Sequence, residues 1–175
     1  MTTPIIREAR RQDAEACAAI YAPYVRDTTI SFELDPPDEA EFARRIATYG
    51  QSHLWLVAEV DGALTGYAYA SPFSEREALA HACEVGIYLA MGHAGAGIGR
   101  SLYGALLPGL TARGLHTAIA RIALPNPASI ALHQRCGFTP AGVLREVGWK
   151  RGQWVDVALW QLLLQPGLPM PPLPV

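Results

Sequence analysis

A glycine-rich segment offers the clearest chemistry in the chain. Gly95, Gly97 and Gly99 alternate just before an apolar pattern of helical period that begins near Ile98, and Arg100 follows them. The first amides of a helix have no acceptor within it and lie at the positive end of its dipole, so they can bind phosphate. Glycines let phosphate approach the backbone closely. The segment predicts a phosphate-binding turn, although a glycine-rich connector without a ligand would have the same sequence.

Two common phosphate motifs do not fit this segment. A P-loop requires a lysine after its glycines, and none follows here. A dinucleotide fingerprint requires GxGxxG, but counting from Gly95 puts Arg100 last and counting from Gly97 puts Leu102 last. The pattern therefore argues against a nucleoside triphosphatase and against a dinucleotide-dependent oxidoreductase.

A carboxylate opens the predicted strand that leads into the glycines. Glu84 begins the run Glu84–Leu89, so a general base at this position would lie near the reactive end of a ligand whose phosphates bind the turn. The ordinary alternative is a partly exposed glutamate in an ion pair. The adjacent Cys83 has no histidine and aspartate arranged to activate it, and we expect a buried thiol.

A second candidate group follows the next strand. Asn126 and Pro127 are typical of a helix start, and Gly137 of a helix end. His133 lies on this helix and could relay a proton or contact a ligand, but a hydrogen-bonded structural histidine is an equally good interpretation. The five histidines show no HxH or HExxH spacing, so no metal site is predicted.

These residues need a sheet and helices to position them. Hydrophobic periodicity and turn residues predict the order β-α-(β)-α-β-β-β-α-β-α-β-β. The predicted strands are 5–7, 28–34, 54–60, 63–70, 84–89, 117–124, 138–145 and 154–164, and the predicted helices run from Asp13 to Tyr21, between Asp38 and Gly50, from Ile98 to Gly114 and between Asn126 and Gly137. Asp61-Gly62 predicts a hairpin, Pro23 a helix end and Pro108 a kink. The order indicates a mixed sheet with helices on its faces.

Composition limits the class of protein. A chain of 175 residues, 50% of them apolar, suits a single domain, which we assign to residues 1–165, followed by a proline-rich tail at 166–175. The net charge of −2 gives no general attraction for nucleic acid. No apolar run approaches the ~20 residues of a membrane span, and the start of the chain is polar. Three scattered cysteines suggest no disulfide framework, so we expect a cytoplasmic protein.

Several segments, taken together in their order and spacing, resemble one known superfamily. The run Glu84–Leu89, the turn Gly95–Arg100 and the stretch from Leu124 to Phe138 resemble the GNAT N-acetyltransferases, and within them the phosphinothricin and methionine sulfoximine acetyltransferase group. Further segments also occur in the order and spacing of this family, and they are Phe32 near Pro36-Pro37, Val57–Glu59, Gly66–Tyr69, Arg76 before Ala78, and Lys150-x-Gly152-x-Trp154-x-Asp156. The resemblance extends over about residues 5 to 164.

The resemblance implies an α/β fold of the α+β type and a cofactor. The fold would have a mixed, mostly antiparallel sheet of about seven strands and about four helices, and the acetyl donor would be acetyl-CoA, with no metal. The implied cofactor-binding residues are Ile87, Tyr88, Leu89, Gly95, Ala96, Gly97, Ile98, Gly99, Arg100, Asn126 and Ser129. Ile87 and Leu89 would pair with the pantetheine amides like an added strand.

The resemblance also implies roles in catalysis and substrate binding. Glu84 would be the general base for direct attack by a primary amine, and His133 would assist it. The implied substrate-binding residues are Phe32, Arg76, Glu77 and Ala78. Arg76 could hold a carboxylate or be an ordinary surface arginine, and Phe32 could form an apolar wall of the pocket or belong to the core. The substrate would be a small amine of the phosphinothricin, methionine sulfoximine or methionine sulfone type, and the protein a homodimer.

The sequence departs from the family pattern at two positions and leaves two other functions open. Ala94 stands where the phosphate loop has arginine or glutamine, which removes one side-chain contact to pyrophosphate, and Leu79 stands where relatives have an aromatic residue. The first alternative function is acetylation of a protein or peptide. The second is a module that binds acetyl-CoA without turnover.

Overall fold

One seven-stranded sheet organises the part of the chain that the computed structural model describes, residues 3–167. The strands are β1 Ile5–Glu8, β2 Leu54–Val60, β3 Ala63–Pro72, β4 Ala82–Leu89, β5 Thr117–Ala123, β6 Thr139–Lys150 and β7 Gln153–Leu163, and the α-helices are α1 Ala14–Asp27, α2 Glu39–Ser52, α3 Ile98–Ala112 and α4 Pro127–Arg135. The strand order is β1-β2-β3-β4-β5-β7-β6. This mostly antiparallel sheet with four helices is the predicted fold.

The two parallel strands of the sheet separate soon after they pair. β4 and β5 are the only parallel neighbours among residues 3–167, and their register covers three pairs, from Ala82 with Thr117 to Glu84 with Ile119. Beyond that point β4 continues to Leu89 while β5 turns away. The backbone of β4 from Val85 onward therefore has a strand on one side and a gap on the other.

Helices cover both faces of the sheet and bury alternate residues of its central strands. Leu102, Leu106 and Leu110 of α3 are fully buried on one face, where they pack with Leu54 and Leu56 of β2. On the other face, α1 and α2 bury the intervening β2 residues, Trp55 and Val57. Successive side chains of a strand point to opposite faces, so β2 contributes to both cores.

Local turn and cap signals in the sequence are confirmed. The Asp38 side chain accepts from the Glu41 amide at 2.8 Å and caps α2. Asp61 and Gly62 have φ of 51° and 80° and join β2 to β3 in a two-residue turn. Gly137 follows α4 with φ of 90°, in the left-handed region where glycine is favoured.

Pro23 lies inside the helix that it is predicted to end, so that prediction is wrong, whereas Pro108 lies within α3, whose predicted end is beyond it. α1 continues past Pro23 to Asp27, and α3 continues past Pro108 to Ala112. A proline removes one helical hydrogen bond, but burial of Ile20, Tyr21 and Val25 against the sheet holds α1 together on both sides of Pro23. The prediction that Gly50 ends α2 is also wrong, by two residues, because the helix reaches Ser52.

The predicted strand at residues 28–34 is a loop, and we call it the 28–34 loop below. It has no place in the sheet, since its carbonyl groups at Ser31 and Glu33 accept hydrogen bonds from the Lys150 ammonium group at 2.7 and 2.9 Å. β6 extends five residues beyond the predicted end at Arg145, with a register shift between Leu144 and Gly148. Residues 168–175 of the predicted proline-rich tail lie outside the described residues.

Candidate active site

The open edge of β4 presents unpaired backbone groups. The Ala90 amide donates to the Thr65 carbonyl at 2.9 Å, so even-numbered residues of this segment face β3. Backbone direction alternates along a strand, and the amides of Ile87 and Leu89 therefore face the gap toward β5. The Leu89 carbonyl already accepts from the Tyr24 hydroxyl at 2.7 Å. An extended ligand with amide groups can pair with this edge as an additional strand.

The N-terminus of α3 lies at the end of that gap and is uncapped. Gly97 is the N-cap residue, with φ of 82° and no side chain to bond the first amides. A Cβ at Gly95 or Gly97 would meet no atom within 4 Å, so the space above the turn is open. The first helical turn has no acidic residue, and Arg100 is exposed there. This combination suits the phosphates of an anionic ligand.

Two of the predicted cofactor residues are in the core. Ile98 is buried, and a Cβ on Gly99 would lie 3.0 Å from Leu132 Cδ2 and 3.5 Å from Ile87 Cδ1. Gly99 therefore allows α3 to approach α4 and β4 closely, and both residues can offer only backbone groups. Ala96 is exposed in the turn, whereas Tyr88 packs edge-on against Tyr21 and Tyr24.

The α4 residues form a closed hydrogen-bond network. The Asn126 side chain accepts from the Ser129 amide at 3.1 Å, which confirms the predicted cap. His133 Nδ1 lies 2.7 Å from the Ser129 carbonyl and must donate to it, so Nε2 accepts from the Tyr103 hydroxyl at 2.9 Å. Burial lowers the pKa of His133. With both ring nitrogens bonded inside the protein, the geometry favours the structural interpretation of this histidine.

Glu84 lies beside a cavity of about 490 Å³ between the sheet and the 28–34 loop. Its two carboxylate oxygens accept from Arg121 Nε at 2.7 Å and Nη2 at 2.6 Å, and its side chain is 25% exposed. The cavity is lined by Tyr21, Ile30, Ser31, Phe32, Glu33, Glu84, Tyr88, Arg121, Leu144, Val147, Gly148 and Val157. The structure thus brings three predicted site residues to one cavity, Phe32, Glu84 and Tyr88, of which Phe32 and Glu84 are 52 positions apart.

The other predicted substrate residues do not line this cavity. Arg76, Glu77 and Ala78, together with Leu79, are exposed on the short turn that leads from β3 into β4. The side chain of Arg76 has no ion pair among the described residues. Their role in substrate binding stays a prediction.

The 28–34 loop, which forms one wall of the cavity, is held by residues for which the sequence predicts no role in the site. Lys150 is 5% exposed and holds two carbonyls of this loop, and burial lowers its pKa. Arg45 binds the Glu33 carboxylate at 2.8 and 3.2 Å, and the Tyr21 hydroxyl lies 2.6 Å from Ser31 Oγ. The motif Lys150-x-Gly152 belongs to the family resemblance, but it does not indicate which groups Lys150 binds, because they lie more than 100 positions earlier in the chain.

The cysteines are buried or partly buried. Cys17 and Cys83 are fully buried, and burial raises the pKa of each thiol to about 12, which confirms Cys83 as an unreactive core thiol. Cys136 is partly buried and its pKa is also raised. Within residues 3–167, no three His, Cys, Asp or Glu side chains are grouped so that they could hold a metal ion. No helix in the same range has the length and apolarity to cross a membrane.

Comparison with known proteins agrees with this geometry. A family model described as an acetyltransferase (GNAT) domain matches residues 6–159. A phosphinothricin N-acetyltransferase of Streptomyces viridochromogenes is 37% identical over 97% of this chain and 92% of its own length. An L-methionine sulfoximine/L-methionine sulfone acetyltransferase of Pseudomonas aeruginosa is 35% identical over 92% of this chain and 95% of its own.

A solved structure shows the same fold with its cofactor. The GNAT superfamily phosphinothricin acetyltransferase of Sinorhizobium meliloti, in complex with acetyl-CoA, superposes with a TM-score of 0.88 at 38% identity and covers 93% of this chain and 89% of that one. The open β4 edge and the uncapped α3 turn are suited to such a cofactor. On the match to the family model and the identity to these relatives, the chain belongs to the GNAT acetyltransferase family and is an acetyl-CoA-dependent N-acetyltransferase.

Proposed function

We propose that this enzyme acetylates the primary amine of a small amino-acid-like substrate, with Glu84 as the general base. The observation that carries the proposal is the position of Glu84, on the cavity of about 490 Å³ and at the point where β4 and β5 separate. The size of the cavity suits a compact amine. The names of the relatives support phosphinothricin, methionine sulfoximine or methionine sulfone as its class.

The residues that would hold acetyl-CoA are at the two features already described. Acetyl-CoA supplies a thioester carbonyl when it is bound. The amides of Ile87 and Leu89 face the gap and would pair with the pantetheine arm, one of them also with the carbonyl oxygen. The turn Gly95–Arg100 would bind the pyrophosphate through its amides and Arg100. Asn126 and Ser129 begin α4 on the far side of the gap, and Ser129 Oγ lies 3.3 Å from His133 Nδ1.

The chain needs no covalent intermediate for this transfer. Glu84 would take one proton from the ammonium group of the substrate, directly or through a water molecule, so that the neutral amine can attack the carbonyl carbon. The new C–N bond would replace the C–S bond, and the second proton of the amine would leave with coenzyme A as its free thiol. Holding both reactants in one site supplies much of the rate. His133 positions α4 against α3 through Tyr103, and Phe32 forms the apolar wall of the pocket. Arg76, Glu77 and Ala78 remain proposed contacts at the turn before β4.

A panel of amines tests the proposal. We expect acetyl-CoA-dependent release of free thiol with methionine sulfone, methionine sulfoximine or phosphinothricin, and weaker release with short peptides. A clear preference for peptides over every free amino acid would favour protein acetylation. Acetyl-CoA binding without thiol release from any amine would favour a non-catalytic module.

Gly148→Ala tests Phe32 as a wall of the pocket. A Cβ on Gly148 would lie 2.6 Å from Phe32 Cδ1 and closer still to Cε1, so the ring must leave its position. We expect the KM of the amine to rise roughly ten-fold because an apolar contact is lost, while acetyl-CoA binding stays constant. The matched control is Gly142→Ala on the same strand, where a Cβ meets nothing within 4 Å. Equal kinetics in the two variants would remove Phe32 from the pocket.

We further propose one catalytic domain over residues 1–165, a homodimer, and the cytoplasm as its location. The surface of β6 and β7 supports self-association, since Val147, Trp149 and Trp154 are 54%, 56% and 57% exposed. Free cysteines suit a reducing compartment. Sedimentation equilibrium at assay concentration measures the oligomeric state, and a monomer there would contradict the dimer.

A further inference from the structure

The two carboxylates that line the Glu84 cavity differ in where their ion-pair partners lie. Among the lining residues, all of them in the described part of the chain, Arg121 is the only cation. Of the two carboxylates, Glu33 is held from outside by Arg45, whereas Glu84 depends on Arg121 for its ion pair. Arg121 projects from β5, across the gap from β4.

The ion pair between Arg121 and Glu84 does not use all the hydrogen-bond donors of the guanidinium group. It uses Nε and Nη2, so three of the five N–H groups of Arg121 remain available to a second anion. The Arg121 side chain is 59% exposed, and an exposed ion pair contributes little to stability. A ligand carboxylate can bind the free N–H groups and, because the exposed pair is weak, can then displace the Glu84 carboxylate from Arg121 at small cost.

The charges of Arg121 and Glu84 are complementary to the two charges of an α-amino acid. A zwitterionic amino acid carries a carboxylate, which complements the Arg121 guanidinium, and an ammonium group one carbon away, which complements the Glu84 carboxylate. A planar guanidinium binds carboxylate through two parallel hydrogen bonds, a geometry that a point charge does not reproduce. Both partners line the cavity and are in direct contact with each other.

We propose that Arg121 binds the carboxylate of the substrate and that this binding replaces Glu84 as the partner of Arg121. This rests on the proposed function and deepens it, because it assigns the residue that selects amino acids over simple amines. Without substrate, Glu84 is engaged by Arg121. With substrate, the carboxylate of the substrate takes the guanidinium, and the Glu84 carboxylate is free to accept the amine proton.

Matched substrates and an Arg121→Gln variant test the inference. The substrates are methionine sulfone and its decarboxylated analogue, 3-(methylsulfonyl)propylamine, in the presence of acetyl-CoA. We expect Arg121→Gln to lower kcat/KM for methionine sulfone roughly 10- to 100-fold, chiefly through KM, because a charge-assisted contact is lost. The analogue should change less than about three-fold, since it has no carboxylate for Arg121. Arg121→Lys should give an intermediate loss.

Two controls separate this result from general damage and from failure of the proposed function. Arg113→Gln makes the same change at the far end of α3, outside the cavity, and should leave both substrates unaffected. Calorimetric titration of the protein with methionine sulfone gives a second readout that needs no turnover, and Arg121→Gln should weaken this binding at least ten-fold. Absence of turnover with intact, Arg121-dependent binding would contradict the proposed function alone.

Three results would overturn the inference. Equal loss on both substrates would mean that Arg121 does not contact the carboxylate. A selective loss in Arg76→Ala but not in Arg121→Gln would assign the carboxylate to the turn before β4. Failure of the wild-type protein to bind methionine sulfone, or any other free amino acid of the panel, would exclude the site itself.

Discussion

Glu84→Gln lowers turnover roughly 10²- to 10⁴-fold and leaves acetyl-CoA affinity nearly unchanged, if Glu84 is the general base. The amide keeps the size of the carboxylate but accepts no proton at neutral pH. The backbone of β4, where the cofactor would pair, is not altered by the change. Steady-state kinetics with saturating methionine sulfone and separate titration with acetyl-CoA measure the two quantities independently.

Two controls define what this loss means. Glu59→Gln makes the same substitution in an ion pair with Arg7 on the outer strands, away from the cavity, and should retain full turnover. The double variant Glu84→Gln with Arg121→Gln removes the unpaired guanidinium that the single variant leaves behind. Turnover should remain low in the double variant. Undiminished turnover in Glu84→Gln would make this residue structural, and recovery in the double variant would assign the loss to Arg121.

Gly97→Val abolishes most of the stabilisation that acetyl-CoA gives to the fold. At about 100 times its dissociation constant, acetyl-CoA should raise the free energy of unfolding of the wild-type protein by ~2.7 kcal/mol. Valine at φ of 82° is strained, and its side chain would project into the open space above the turn. The increment is measured by thermal unfolding of each variant with and without acetyl-CoA.

Gly114→Val is the matched control for this experiment. Gly114 has φ of 80° at the other end of α3, and a Cβ there also meets nothing within 4 Å. Both variants should therefore lose intrinsic stability from backbone strain, whereas only Gly97→Val should lose the ligand increment. A full increment in Gly97→Val would refute the assignment of the turn to pyrophosphate.

Much of the fold and of the proposed cofactor site follows from short-range signals in the sequence. Asp38, Asp61-Gly62 and Asn126 each act within four residues, through a side-chain cap or a turn conformation, and each does so here. The uncapped start of α3 also follows from adjacent residues, because Gly97 has no side chain that could cap it. Such features depend little on the rest of the molecule.

The proposed substrate pocket depends on contacts between residues far apart in the sequence, and local sequence patterns do not predict such contacts. Arg121 and Glu84 are 37 positions apart, and although the sequence singles out Glu84, Arg121 looks like an ordinary surface charge in it. The 28–34 loop has the β-branched and aromatic residues of a strand, but the Lys150 ammonium group, more than 100 residues later, binds the carbonyl groups that a neighbouring strand would have bonded. Pro23 shows the same limit, since packing against the sheet outweighs a local helix breaker.

The burial of the cysteines has a practical consequence for handling the enzyme. A colorimetric thiol reagent reacts with thiolate, and two of the three cysteines are fully buried with a pKa of about 12. The colour that develops during turnover will therefore report released coenzyme with a low protein background, and most of that background will come from Cys136. The same burial should protect Cys17 and Cys83 from oxidation in the absence of reductant, since sulfenic acid formation requires an accessible thiolate.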